Sequence, residues 1–260
     1  MPASSSSFNE VRVGGTVLDE NMLKIGKRLV TKLFNAGKFV YAQSADTYPI
    51  TQELDRAFVH ELGQMVEAVT PMMEAYEGAQ ALSVIEDFFW RQFTDNYLEL
   101  VKARARGEEG TPPEAAGSAV AGLRLGMNVL LRLFAPFLPY ITEEAWSWIA
   151  ADETGYASIH IAPWPGPADF DGLAPPDDAT SLQTATACLA EIRKHKADAE
   201  VSVGRPMETI TIAAEAATLA RLRPVAADVM DAARAQGYTL EEKASVRSGA
   251  FAVVEAMFVA

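Results

Sequence analysis

The chain has 260 residues, of which 49% are hydrophobic and 22% charged, with a net charge of −13 and one cysteine. This composition excludes collagen-like, low-complexity and wholly disordered classes, and one cysteine excludes an intrachain disulfide or a cysteine-rich metal site. The length fits one large domain, or one domain with an appendage, that can bury a core.

The amino terminus and the apolar runs predict a cytoplasmic protein with no membrane partner. The first ten residues, MPASSSSFNE, have neither a basic flank nor an apolar segment, so they are not a signal peptide. Residues 1–20 are predicted to be a disordered lead-in. No apolar run approaches the ~18 residues that a membrane span needs. The scarcity of cysteine fits a reducing compartment.

Hydrophobic residues recur at spacings of three and four through residues 21–150, which predicts an all-helical bundle. Its predicted helices span about 21–43, 51–75, 78–104 and 114–134, with a short fifth helix to follow. The buried stripe of the first helix is predicted to be Met22, Ile25, Leu29, Leu33, Ala36 and Val40. Pro71 predicts a kink or an early end of the second helix. Thr142 is predicted to cap the fifth helix.

The composition changes after residue 150, which predicts a second, smaller α+β subdomain over 151–260. Glycine, proline and aspartate dominate its first thirty residues, interrupted by SIHIAPWP (158–165), an extended apolar segment. A helix at about 181–199, a strand over 208–213, two short helical stretches and a final strand-like run follow. The predicted fold class is therefore mainly α, with a helical bundle and a C-terminal α+β subdomain.

The first predicted helix has a basic face that the overall charge conceals. It contains five basic residues and no acid: Lys24, Lys27, Arg28, Lys32 and Lys38. Lys24, Arg28 and Lys32 lie four apart on one face, and Asn35 and Phe39 extend that line. Cations, an amide and an aromatic ring suit a single-stranded RNA loop, because they hold phosphates, bond base edges and stack on bases. The alternative is a solvated basic face with Phe39 in the core.

The remaining polar and aromatic residues point to a binding module rather than an enzyme active site. The three histidines, His60, His160 and His195, are scattered, and none has a partner at metal-ligand spacing. Cys188 lies on the apolar side of its helix, which predicts an inert buried thiol. Neither a phosphate loop nor a nucleophile elbow is found. We therefore predict no metal and no cofactor in this chain.

The third predicted helix contributes further aromatic and basic residues. Trp90, Phe93 and Tyr97 are predicted to lie in the core rather than to stack on bases. The pattern leaves open whether the three cations at the end of this helix join the RNA surface or solvate the helix end: Lys102, Arg104 and Arg106.

Three segments resemble, in the same order, the anticodon-binding helical domain of class I aminoacyl-tRNA synthetases. They are KIGKRLVTKLFNAGKFV (24–40), DFFWRQFTDNYLELVKARAR (87–106) and LRLFAPFLPYITEEAWSWI (131–149). Within this family, the Lys-Leu-Phe-Asn-Ala-x-Lys-Phe run and the Pro-Phe-x-Pro-x-Ile-Thr-Glu-Glu turn are similar to those of the valyl-tRNA synthetases. Residues 158–165 and 191–212 resemble the α+β piece that follows the bundle there.

The resemblance implies that the chain binds tRNA, with valine isoacceptors expected. A monomer is expected as well. It places Lys32, Asn35, Lys38 and Phe39 near the anticodon bases; Lys24 and Arg28 continue the same face by geometry. Gly37 implies either a bend in the helix or a close approach of the RNA.

The resemblance also implies that the ligase chemistry lies elsewhere. The His-x-Gly-His and Lys-Met-Ser-Lys-Ser segments of the ATP-using catalytic domain, and the inserted editing domain, are not in this sequence. The chain alone is expected neither to activate valine nor to deacylate mischarged tRNA.

Two alternatives belong to other classes of protein. A helical protein–protein interaction module without an RNA role would use the basic face to dock an acidic partner, and a small-ligand bundle would use the Met and Phe residues. An RNA site requires the basic residues and Phe39 to converge on one exposed surface, whereas an interaction module does not.

Overall fold

The computed structural model of the chain describes residues 11–13, 16–18, 20–43, 48–108 and 110–259. It confirms the predicted mainly α fold, with a small three-stranded sheet near the C-terminus. The helices of the bundle are α1 (Glu20–Tyr41), α2 (Glu53–Glu74), α3 (Gly78–Asp87), α4 (Leu98–Ala105), α5 (Pro113–Phe134), α6 (Pro139–Trp146) and α7 (Ala150–Thr154). Their apolar faces form one core that continues into the C-terminal elements.

The third predicted helix is continuous but changes its winding. A π-helical segment, Phe88–Tyr97, joins α3 to α4. The apolar stripe here advances by four residues three times in succession, and in an α-helix each such step turns about 40° beyond a full circle. The wider π turn reduces this drift and keeps the aromatic side chains facing the core. The ring of Tyr97 consequently stacks on Phe58 of α2, with centroids 3.9 Å apart.

The C-terminal elements build a sheet with helices packed against it. They are α8 (Ser181–Asp198), β3 (Met207–Ala214), α9 (Ala216–Leu222), α10 (Ala226–Ala233), β4 (Ala235–Glu242) and β5 (Ala252–Phe258). The strand order is β4-β3-β5, with β4 parallel and β5 antiparallel to β3. A helical crossover, α9 and α10, provides the connection that a parallel pair needs. The strand β4 was not predicted from the sequence.

The predicted lead-in over residues 1–20 is wrong where the structure describes it. Two short strands, β1 (Val11–Val13) and β2 (Thr16–Leu18), pair in antiparallel fashion, and α1 begins at Glu20. Both strands carry the β-branched residues that favour extended backbone. Residues 1–10 lie outside the described part of the chain.

Three local predictions in the bundle are also corrected. Ile25 is 51% exposed rather than buried, and Met22 lies outside the residues whose side chains are described. Of the two alternatives predicted for Pro71, an early end is wrong, because the helix α2 continues to Glu74. The helix α6 begins at Pro139, which suits a first turn, so Thr142 lies inside it. The hydroxyl of Thr142 donates to the Leu138 carbonyl at 2.9 Å instead of capping the helix.

The apolar segment SIHIAPWP, predicted to be extended, contains a 3₁₀ turn, Ile159–Ile161. Glu143 of α6 accepts hydrogen bonds from the Ser158 hydroxyl and the Ile159 amide, both at 3.0 Å. The indole of Trp164 donates to Thr70 of α2 at 3.0 Å. These side-chain bonds satisfy the polar groups of the segment without a neighbouring strand.

A buried ion cluster joins the bundle to the C-terminal elements. Arg104 of α4 donates to both carboxylate oxygens of Asp55 (2.7 and 2.9 Å) and of Asp228 (2.8 and 3.1 Å). Tyr97 and Ser118 also donate to Asp55. Burial raises the pKa of Asp228 to about 6, and the Arg104 charge opposes that rise. Arg104 therefore clamps α10 onto α4 and does not belong to the protein surface.

Candidate nucleic-acid interface

A shallow cleft between α1 and the π-helical segment, which we call the basic cleft, contains most of the predicted site. Its volume is about 530 Å³, and its lining residues are Lys24, Lys27, Arg28, Thr31, Lys32, Asn35 and Trp90. Spacings of four and three bring the predicted Lys24, Arg28, Lys32 and Asn35 together, as expected for one helix face. Lys27 and Thr31, which were not predicted as site residues, line the same cleft.

Trp90 is the aromatic residue of this cleft, and it also packs against the core. It is half-buried, and the Lys32 ammonium lies 5.6 Å from the centre of its ring. Phe93 and Tyr97 are buried, as predicted. Trp90 directly follows Phe89 of the buried stripe, and this offset places it at the edge of the core facing α1. The offset was the available signal in the sequence.

The Lys32 ammonium also pairs with Asp95, at 3.4 Å. The two side chains are 38% and 59% exposed, and such solvated pairs contribute about 1 kcal/mol or less. A phosphate group entering the cleft can therefore replace Asp95 as the partner of Lys32 at small cost.

Phe39 lies one turn beyond Asn35 and is half-buried against the core. Lys102 Nζ and Arg106 Cζ lie 5.8 and 5.7 Å from the centre of its ring. We call Phe39, Lys102 and Arg106 the Phe39 platform. The platform continues the row of side chains on α1 that begins in the basic cleft, and it adds two cations from α4 and the residue that follows it. The three cations at the end of the third predicted helix therefore differ: Lys102 and Arg106 lie beside Phe39, whereas Arg104 is buried.

Lys38 is exposed but lies away from this line. Its ammonium is 5.6 Å from the ring of Phe34, which packs edge-on against Trp148 with ring centres 5.2 Å apart. Gly37 faces the same tryptophan: a Cβ there would lie 3.2 Å from Trp148 Cζ3. Glycine at this position thus leaves room for Trp148. This packing role differs from both predicted explanations of Gly37, a bend in the helix and a close approach of the RNA.

The basic cleft and the Phe39 platform together provide the chemistry that single-stranded RNA requires. Lysine and arginine neutralise phosphates, an asparagine amide can bond a base edge, and two partly exposed aromatic rings can stack on bases. The rings of Trp90 and Phe39 each have a cation within 6 Å. Stacking and phosphate contacts can therefore form at the same places.

Neither the single thiol nor a metal-binding cluster offers a competing site in the described part of the chain. Cys188 is buried, as predicted, and burial raises the pKa of its thiol to about 12. No group of three or more His, Cys, Asp or Glu residues is arranged to hold a metal ion within the described residues. In the same ranges, every helix is too short or too polar to cross a membrane.

Comparison with known proteins defines the class of this chain. The family model of the anticodon-binding domain of tRNA ligases matches residues 55–212. The chain therefore belongs to the family of tRNA-ligase anticodon-binding domains. This confirms the resemblance found in the sequence and does not favour a protein–protein module without an RNA role.

The chain is similar to valine–tRNA ligases among curated proteins. It is 39% identical over 212 residues to that of Thermobifida fusca, which covers 80% of this chain and 23% of the relative. It is 34% identical over 223 residues to that of Cutibacterium acnes, covering 85% and 25%, respectively. For Bifidobacterium longum the identity is 36% over 239 residues, covering 84% and 26%. The chain thus spans about a quarter of the length of these relatives.

Proposed function

We propose that this chain is the anticodon-binding part of a valine–tRNA ligase and that α1 contacts the anticodon loop of valine tRNA. The residues assigned to this contact are Lys24, Lys27, Arg28, Lys32, Asn35, Phe39 and Trp90, with Lys102 and Arg106 beside Phe39. Lys38, which the resemblance placed near the anticodon, is left out because its ammonium lies over Phe34, away from that line. The aminoacylation itself, and its use of ATP, are assigned to parts of the ligase outside this sequence. We further propose that the chain acts as a monomer in the cytoplasm and needs no cofactor of its own.

The observation that carries the proposal is the continuous line from the basic cleft to the Phe39 platform. In a chain with a net charge of −13, this line gathers four cations in the cleft and two more beside Phe39. Proteins that bind phosphates concentrate Lys and Arg in this way, because affinity comes from releasing the counterions of the nucleic acid. An acidic protein that gathers its cations beside two aromatic rings has the charge pattern of an RNA-binding surface.

In the proposed mechanism, the cations of α1 hold the loop phosphates and let the anticodon bases splay outward. Trp90 and Phe39 stack on splayed bases, and the Asn35 amide bonds one base edge. Phosphate contacts fix the register of the loop, whereas base contacts provide the specificity. In the whole ligase, this binding would help to position the acceptor end of the tRNA in the active site.

The proposal is tested by fluorescence anisotropy, using the chain and a labelled anticodon stem-loop of valine tRNA at several salt concentrations. We expect salt-dependent binding that weakens when the anticodon is substituted or replaced by that of isoleucine. Lys32→Ala is expected to lower the salt slope by ~1, as for one lost phosphate contact.

A matched control is Lys194→Ala, which removes an exposed lysine of α8 and should leave both affinity and slope unchanged. Equal affinity for the native and the substituted anticodon would contradict anticodon reading. Equal effects of the Lys32 and Lys194 substitutions would remove α1 from the site.

A further inference from the structure

A second cleft lies where α4 meets the junction of α10 and β4, and it adjoins the Phe39 platform. This joint cleft has a volume of about 510 Å³, which falls in the range of roughly 300–1,000 Å³ typical of small-ligand sites. Lys102 and Arg106 line it and also flank the ring of Phe39. The two surfaces therefore share two cations, so an RNA strand that stacks on the platform would lie beside the cleft.

The opposite wall of the joint cleft comes from residues beyond the family-model match, which ends at residue 212. Arg234 ends α10 in the left-handed conformation, with φ of 57°, and is exposed. Gln236 follows in β4 and is exposed as well. Because β4 pairs with β3 on one side only within the described sheet, its other backbone edge is also free to bond a ligand.

The charges in the joint cleft are mixed, which suits a nucleotide better than a bare anion. Three cations and three carboxylates line it: Lys102, Arg106 and Arg234, and Glu99, Glu108 and Asp231. Cations hold a phosphodiester, while carboxylates, amides and strand backbone accept from or donate to base edges. A cleft that binds inorganic phosphate would not contain as many carboxylates as cations.

The two walls are held in fixed relation by the buried ion cluster. Arg104 of α4 is flanked in sequence by Lys102 and Arg106, and it bonds both carboxylate oxygens of Asp228 in α10, at 2.8 and 3.1 Å. Arg234 follows the same helix. The cleft is therefore preorganised, which reduces the ordering cost of binding a flexible strand.

We propose that the joint cleft binds the nucleotide next to the one stacked on Phe39, as a second subsite for the same RNA. Its phosphate lies between Lys102, Arg106 and Arg234, and its base edge bonds Gln236. The α+β subdomain thus takes part in RNA recognition rather than only supporting the bundle. This inference rests on the proposed function, since it needs an RNA strand on the Phe39 platform.

The first arm of the test uses Arg234→Asn in the anisotropy assay with the valine anticodon stem-loop. Asparagine tolerates the left-handed conformation, so the variant removes the charge without adding backbone strain. We expect affinity to fall about five- to tenfold and the salt slope to fall by ~1. The control is Arg247→Asn, because Arg247 is exposed and lies near the other end of β3, beside the Ser248–Glu215 contact. It should bind as the unaltered chain does.

The second arm places a single abasic nucleotide at each position of the loop in turn. If Gln236 bonds one base, removing that base should weaken binding to the unaltered chain but not to Gln236→Ala. Abasic substitutions at the other loop positions should weaken binding equally for both chains. Unfolding midpoints of all variants, measured by circular dichroism, should match the unaltered chain.

The outcomes separate the two proposals. If Arg234→Asn binds within about twofold of the unaltered chain while Lys32→Ala weakens binding, the joint-cleft proposal is wrong and the proposed function stands. If Gln236→Ala leaves every abasic effect intact, the base contact is wrong. If substitution of the anticodon has no effect on the unaltered chain, the proposed function is wrong, and the second subsite falls with it.

Discussion

Replacing Arg104 should destabilise the chain far more than replacing an exposed cation. Arg104→Met keeps most of the side-chain volume but leaves Asp55 and Asp228 as buried carboxylates without a counter-ion. In the folded chain, the Arg104 side chain is 9% exposed, and those of Asp55 and Asp228 are 0% and 12% exposed. Solvent therefore screens this cluster little, and removal of one partner from such a pair costs about 3–5 kcal/mol.

The free energy of unfolding is measured by urea denaturation, with two probes to test two-state behaviour. Lys32→Met is the matched control: it breaks the pair with Asp95, whose side chains are 38% and 59% exposed, and should cost less than about 1 kcal/mol. A similar small cost for Arg104→Met would refute the assignment of Arg104 as the clamp between α4 and α10.

The loss of unfolding free energy caused by Arg104→Met, called the stability deficit below, should also depend on pH. The buried carboxylates determine the direction of this dependence. Burial already raises the pKa of Asp228 to about 6 while Arg104 opposes that rise, so loss of the cation raises it further. A group whose folded pKa exceeds its unfolded value loses stability as the pH rises through the folded pKa. The deficit should thus be smaller at pH 5 than at pH 7. A deficit that grows on acidification would contradict this account.

Four further outcomes are expected. Gly126→Ala should lower the free energy of unfolding by about 1–3 kcal/mol, because the added Cβ would lie 2.9–3.1 Å from two phenylalanine rings; Gly26→Ala, with nothing within 4 Å, should instead gain up to ~1 kcal/mol. Phe39→Ala should weaken RNA binding by about 1–3 kcal/mol, and unchanged affinity would remove Phe39 from the site. The thiol of Cys188, with its pKa raised to about 12, should react with a thiol reagent only after unfolding, and rapid labelling of the native chain would contradict its burial. ATP–pyrophosphate exchange with valine should stay at background for the chain alone, and clear turnover would show catalytic residues that the sequence analysis missed.

The sequence by itself determined the long helices of the bundle and the basic face of α1. Helical periodicity is a local property, since positions three and four apart share a face wherever the chain is helical. Lys24, Arg28, Lys32 and Asn35 belong to one helix, so their spacing was enough to bring them to one cleft. The strand β3 was predicted over 208–213 for the same reason, because a run of β-branched residues is also a local signal.

Only the tertiary structure decided which side chains from distant segments meet. Lys102, Arg104 and Arg106 look alike in sequence, yet Arg104 is buried against Asp228, 124 residues away, while the other two lie beside Phe39. Trp90 belongs to the basic cleft only because α1 packs against the edge of the core. The joint cleft exists only because α10 and β4 return to α4. Each of these contacts depends on which faces of helices and strands far apart in sequence pack together. The residue spacing within a single helix or strand does not determine that packing.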